Sequence, residues 1–197
     1  MANKKLKSIF LQYFFDFNYL HLLKIRKMLR FILVFLIVTS NCFAQQKSIF
    51  DLARSGTLQE IEMLYTENKN CINEINEYGF SPLILACYKG NSEVAKFIIE
   101  KKSNLDYVSD EGTALMASVV RGKNELVKSL LENGANPNLT NSEGTTALMY
   151  AAQFKNVELV KLLLQHKADK TIVNKDKKTA FEFAVFSNND EIINLLK

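Results

Sequence analysis

The chain repeats itself with a period of about 33 residues. Ser81-Pro-Leu-Ile-Leu-Ala-Cys87, Thr113-Ala-Leu-Met-Ala-Ser-Val119, Thr146-Ala-Leu-Met-Tyr-Ala-Ala152 and Thr179-Ala-Phe-Glu-Phe-Ala-Val185 follow one pattern. Their second residues, Pro82, Ala114, Ala147 and Ala180, step by 32, 33 and 33 positions. Glu93, Glu125, Glu158 and Glu191 step by the same amounts, and each opens an apolar run such as Leu159–Leu164. A unit this short cannot bury its apolar face alone, so such units must stack side by side into a solenoid.

Each unit reads as a turn, a short helix, a tight loop and a second helix. Asn91-Ser92, Asn124, Asn156 and Asn189 lie just before the repeating glutamates. A polar cap followed by an acid starts a helix, because both answer the free N–H groups of its first turn. Pro82 suits the first turn of the preceding helix. Gly90 and Gly122, then Lys155 and Asn188, fall in the tight loop. Gly134 is placed for a left-handed helix end, with Lys102 and Lys167 at the matching positions of other units. A non-glycine residue there costs about 1 kcal/mol.

These residues resemble ankyrin repeats, whose pattern runs through a turn Asp/Asn and Gly, Thr-Pro-Leu-His, two alanines, a Gly, and a Leu-Leu ending before Gly-Ala-Asp. The fourth unit is nearest, with Asn141-Ser-Glu-Gly-Thr-Thr-Ala-Leu-Met-Tyr-Ala-Ala152 and Val157-Glu-Leu-Val-Lys-Leu-Leu-Leu164. The resemblance covers about residues 47–197. It implies an all-α solenoid of helix-turn-helix units with short β-turn fingers. Five units follow: an N-terminal cap at 47–75, then 76–107, 108–140 and 141–173, and a C-terminal cap at 174–197. Two departures stand out. Ile84, Met116, Met149 and Glu182 replace the usual turn His, so its hydrogen bonds are lost. The third unit is one residue short before Thr113, with Glu111 or Gly112 at a finger expected to bend.

Residues 1–44 read as an address. Lys24, Arg26, Lys27 and Arg30 precede the apolar run Phe31–Val38, and Thr39–Ala44 leads into a polar start. That is the layout of a secretory signal peptide with cleavage after Ala44. The run is short of the roughly 20 apolar residues that span a bilayer. Met28 is the expected initiator, because residues 1–27 push the apolar run unusually far from the start. Two other readings stay open: Phe10–Leu23 and Phe31–Val38 as an uncleaved membrane anchor, and a lipoprotein acylated at Cys42. The expected location is therefore periplasmic or secreted, with membrane anchoring as the alternative.

This segment also explains the charge. It holds seven of the 25 basic residues and one of the 21 acids, so the remainder has 18 bases against 20 acids, a formal charge of −2. That balance gives no electrostatic reason for a nucleic-acid partner. Beyond the leader, Cys71 is expected in a loop and Cys87 at a small buried helix position, both as ordinary thiols. His166 is the lone histidine there. Neither a metal-spaced His/Cys cluster nor a phosphate loop occurs in the sequence. No catalytic residue, metal, cofactor or small-molecule substrate is expected, and the chain is expected to be monomeric.

The resemblance implies protein binding on the concave face made by fingers and first helices. The candidate contact residues are Tyr78, Phe80 and Glu143 on the fingers, and Tyr88, Lys89, Val120, Arg121, Gln153, Phe154 and Phe186 where the first helices end. Aromatics and arginine are favoured anchors at interfaces. Phe154 and Phe186 could instead pack between units, and the sequence leaves that open. Three roles fit such a surface: a protein-binding module, a secreted effector acting on a host protein, and an accessory or stability factor for an exported enzyme.

Overall fold

The computed structural model describes residues 47–197. The leader, the start at Met28, the cleavage after Ala44 and the acylation of Cys42 all lie outside the described residues. The described residues form ten α-helices in five pairs and no β-strand. The pairs are α1 (Ile49–Ser55) with α2 (Leu58–Glu67), α3 (Pro82–Lys89) with α4 (Ser92–Glu100), and α5 (Ala114–Val120) with α6 (Asn124–Glu132). Two more follow: α7 (Ala147–Gln153) with α8 (Val157–Gln165), and α9 (Ala180–Ser187) with α10 (Asp190–Leu196). Odd helices stack on odd and even on even, giving two layers.

Every odd helix is started by a hydroxyl. Ser48, Ser81, Thr113, Thr146 and Thr179 each accept a backbone N–H from the first turn, a cap that stabilises by about 1 kcal/mol. The odd layer is then set by size. Ala53, Ala86, Ser118, Ala151 and Ala184 occupy the same position of successive units, and each is 0% exposed. The one polar member, Ser118, returns its hydroxyl to Ala114 O at 2.9 Å. The even layer is amphipathic, with Val94, Leu126, Leu159 and Ile192 wholly buried and charged residues such as Lys96 outside.

The even helices begin differently from the sequence pattern. The α6 cap is Lys123, not Asn124, which lies inside the helix and donates to Glu158 at 2.6 Å. Asn91 stands at its cap but caps nothing. Its amide donates instead to Gly56 O at 2.9 Å, tying the second unit to the first. Only Asn156 and Asn189 cap as the pattern implies. Cys71 is also corrected: it lies buried in a 3-10 helix, Lys69–Asn73, because Asn68 caps that turn through Asn70 N–H. Cys71 and Cys87 are both free thiols.

Two sets of polar bonds join the units. Along the loops that follow the even helices, a side-chain oxygen receives the next unit's N–H. Asn73 takes Asn104 at 2.9 Å, Asp106 takes Asn136 at 2.8 Å, and Asn138 takes Asp169 at 2.7 Å. Along the fingers, Ser142 N–H donates to Asp110 O at 3.2 Å and Lys175 N–H to Glu143 O at 3.0 Å. The third finger is not merely bent. Ser109 and Gly112 exchange two backbone bonds in a shortened turn, with Gly112 at φ 114°. Its tie to the preceding finger is made by Tyr107, two residues before Ser109; the Tyr107 hydroxyl donates to Gly79 O at 3.0 Å.

Lys102 and Lys167 do adopt left-handed backbone, at φ 56° and 64°. Beside Lys102, Ser103 takes the place that Ala135 and Ala168 hold in later units. Ser103 is buried, and its Oγ has no hydrogen-bond partner among the described residues. An unsatisfied buried hydroxyl costs roughly 1–3 kcal/mol. Ser103→Ala is therefore expected to stabilise the fold by about 1 kcal/mol. A denaturant melt giving a less stable variant would show that the hydroxyl is satisfied in solution.

Candidate functional site

The fingers and odd helices of the second, third and fourth units enclose a groove of about 580 Å³. Its floor is Ile84, Leu85, Met116 and Ala117. Phe80 and Glu111 stand at the finger end, and Tyr88, Val120, Tyr150 and Phe154 form the walls. The floor is apolar because of the departure from the usual turn His. Ile84 and Met116 are turned inward and buried, so an imidazole is replaced by aliphatic and thioether surface. The Ser81 and Thr113 caps at the same turns accept from Ile84 and Met116 N–H.

Five of the sequence candidates meet here: Phe80, Tyr88, Lys89, Val120 and Phe154. Arg121 stands at the mouth, its guanidinium 5.7 Å from the Tyr88 ring centre, while Lys89 Nζ lies 5.8 Å from the same ring. Such cation–π pairs hold a ring in place while leaving part of its face open. Phe154 is 52% exposed and Tyr88 50%, so Phe154 does not pack away between units. Phe186 is likewise exposed, at 72%, but it sits in the last unit with Lys178 Nζ 4.9 Å from its ring. Tyr78 and Glu143 are exposed on finger tips and do not line the groove. Glu143 pairs with Lys175 at 3.4 Å, and Gln153 is exposed outside the lining.

Tyr150, Met116 and Glu111 belong to the groove although the sequence reading passed over them. Tyr150 was legible: it lies four residues before Phe154, and that spacing puts two side chains on one helix face. Their rings stack with centres 6.3 Å apart. The Tyr150 hydroxyl also accepts from Asn141 Nδ2 at 3.1 Å. Asn141 Oδ1 closes the fourth finger by accepting Glu143 N–H at 3.0 Å and Thr145 N–H at 2.9 Å. One asparagine thus fixes both the finger and the groove wall.

Burial raises the Tyr150 phenol, the Glu111 carboxylate raises it further, and the Asn141 bond offsets part of that. Burial pushes the Cys87 thiol up to about 12, which makes it inert despite its bond to Ser118. No group of three His, Cys, Asp or Glu side chains could hold a metal among the described residues. The arrangement offers shape, apolar area and aromatic edges, which are the means of binding.

A stack of helix pairs with turn fingers and a concave aromatic groove defines a solenoid repeat protein. Residues 49–141 and 115–197 match the family described as ankyrin repeats (3 copies), and the chain belongs to that family. Ankyrin repeats are protein–protein interaction modules and are typically non-catalytic. An ankyrin repeat protein of fowlpox virus (strain NVSL) is 32% identical over 112 residues, which is 56% of this chain and 26% of that protein. The chain thus spans about a quarter of that relative's length.

The tie between Tyr150 and Asn141 can be measured. Tyr150→Phe removes one hydrogen bond and is expected to cost about 1 kcal/mol in a denaturant melt. A raised pKa means that the native state favours the neutral phenol. Its contribution is therefore complete below the ordinary value of about 10 and falls as pH rises through the higher native value. Ultraviolet titration of the folded chain should show a late-titrating phenol that Tyr150→Phe removes; an unchanged titration curve contradicts the assignment.

Proposed function

We propose that this chain is a non-catalytic module that grips a partner protein in the groove of its second to fourth units. The observation that carries the proposal is the pairing of exposed Tyr88 and Phe154 with Val120 around one apolar concavity. Single exposed apolar residues are ordinary, but contiguous ones lining a hollow mark an interaction site. Tyrosine and arginine, in the form of Tyr88 and Arg121, supply the side chains that most often anchor an interface. Phe186 and Tyr78 extend the same face beyond the groove as peripheral contacts.

The full chain, immobilised and exposed to proteins of its native compartment, is expected to retain a defined partner. Tyr88→Ala with Phe154→Ala should weaken retention by at least tenfold, the order seen when central anchors are truncated. Both side chains are half exposed, so the helical circular dichroism should persist. Undiminished retention by the double variant would remove the groove from the interface.

Export is a second part of the proposal, supported by the basic stretch, the apolar run Phe31–Val38 and the polar start after Ala44. Outside the cytoplasm the same groove would serve a periplasmic or secreted partner, a host protein, or an exported enzyme that needs a stabilising subunit. Amino-terminal sequencing of the chain recovered from its source is expected to begin at Gln45. A first residue at Met1 or Met28 would instead favour the anchored form.

A further inference from the structure

The charges around the groove are sorted by sign. Fingers 76–80, 109–112 and 141–145 carry Glu77, Asp110, Glu111 and Glu143 and no base. The matching odd-helix ends, 88–91, 120–123 and 153–156, carry Lys89, Arg121, Lys123 and Lys155 and no acid. All eight side chains belong to exposed residues. Elsewhere the protein pairs opposite charges, as in Lys47–Glu60 at 2.8 Å and Lys161–Glu191 at 2.6 Å. Of the eight, only Glu143 has an ion-pair partner among the described residues, and it is Lys175 of the last finger. Glu111 and Lys89 line the groove itself and the other six stand on the same fingers and helix ends, so an acidic lip and a basic lip flank its apolar floor, with Glu143 alone neutralised.

Helix dipoles account for part of this pattern, since acids suit helix starts and bases suit helix ends. They do not account for Lys123. It is the cap residue at the start of α6, makes no side-chain capping bond, and places a cation where the dipole disfavours one. The distance between the lips is also informative. The odd helices of this region have seven or eight residues, and at 1.5 Å per residue they hold the lips roughly 10–12 Å apart. That matches the roughly 10–12 Å diameter of an α-helix with its side chains. Three stacked helices at 8–10 Å spacing offer a track about 20 Å long, the length of roughly 13 helical residues.

Resting on the proposed binding groove, we infer that its occupant is an amphipathic α-helix of the partner, laid along the stack across α3, α5 and α7. Its apolar stripe meets Met116, Val120 and Phe154. Its basic flank faces the fingers and its acidic flank faces the odd-helix ends. Opposite lips also fix direction: for a helix with given flanks, only one end-to-end orientation sets each flank against the opposite charge. A helix with like-charged flanks always meets repulsion on one side.

Three labelled helical peptides with one shared apolar stripe test this against the full chain by fluorescence anisotropy at low salt. One has a basic and an acidic flank, one is basic on both flanks, and one is acidic on both. The mixed peptide is expected to bind about tenfold more tightly than either uniform one, with the advantage shrinking as salt is added. Lys89→Glu with Arg121→Glu should hand the advantage to the all-basic peptide. Equal affinity for all three, a preference for a uniform peptide, or no binding by any of them overturns the inference. Equal binding that disappears in Tyr88→Ala/Phe154→Ala would still leave the groove as the binding site. Mixed-peptide binding that survives those two alanines would overturn the groove as well.

Discussion

Close approach of the odd helices is the constraint on which the rest of this molecule depends. One side chain per unit sits on the axis of that contact: Ala53, Ala86, Ser118, Ala151 and Ala184, all fully enclosed. Protein interiors are packed to crystal-like density, so the column tolerates little change of volume. Its small members let neighbouring backbones draw together. That places successive fingers within hydrogen-bonding reach and turns three separate helix ends into a continuous concave wall. The larger residues of the even layer, such as Ile98, Leu130 and Leu163, fill the wider outer side. Small inside and large outside is the geometry that makes a stack curve.

The same arithmetic explains why the binding face and the core do not compete. Along α3 and α5 the residue that enters the column stands two positions before an exposed residue of the groove wall. Ala86 and Tyr88, or Ser118 and Val120, illustrate the division. The exposed wall residues Tyr88, Val120 and Phe154 lie outside the buried column, so their chemistry is open to choose a partner. The sorted charges lie further out still, on fingers and loops, where side chains vary most freely.

Much of this was legible in the sequence because a repeat reports each structural rule several times. The helix pairs, the small residues of the column and the left-handed backbone at Lys102 and Lys167 follow from the register alone, whereas the hydroxyl caps of the odd helices went unread. What was not legible depended on competition for the same group. Asn91 looks like a cap, yet its amide is taken by carbonyls of the first unit. Asn124 looks like a cap too, but it falls one residue inside the helix and meets Glu158 instead. The groove was half visible. Tyr88 and Phe154 stood out as aromatics at helix ends, with the exposure of Phe154 left open, whereas Met116 reads as core from its position. Only the geometry shows that the same thioether is both buried and the floor of the hollow.

The missing residue in the third finger has a mechanical consequence. From the third unit to the fifth, each finger is bonded to the next through backbone groups, while the second finger is linked to the third by the single phenol of Tyr107. The row of fingers therefore divides into a stiff block and one compliant member. On the opposite edge, the loop bonds from Asn73 through Asp169 run unbroken and act as a spine. The molecule resembles a clasp with one fixed jaw and one sprung jaw. Tyr88 and Phe80 belong to the unit whose finger is joined by that one side chain, and Tyr150 and Phe154 to the backbone-bonded block, so the width of the hollow rests on the joint at Tyr107.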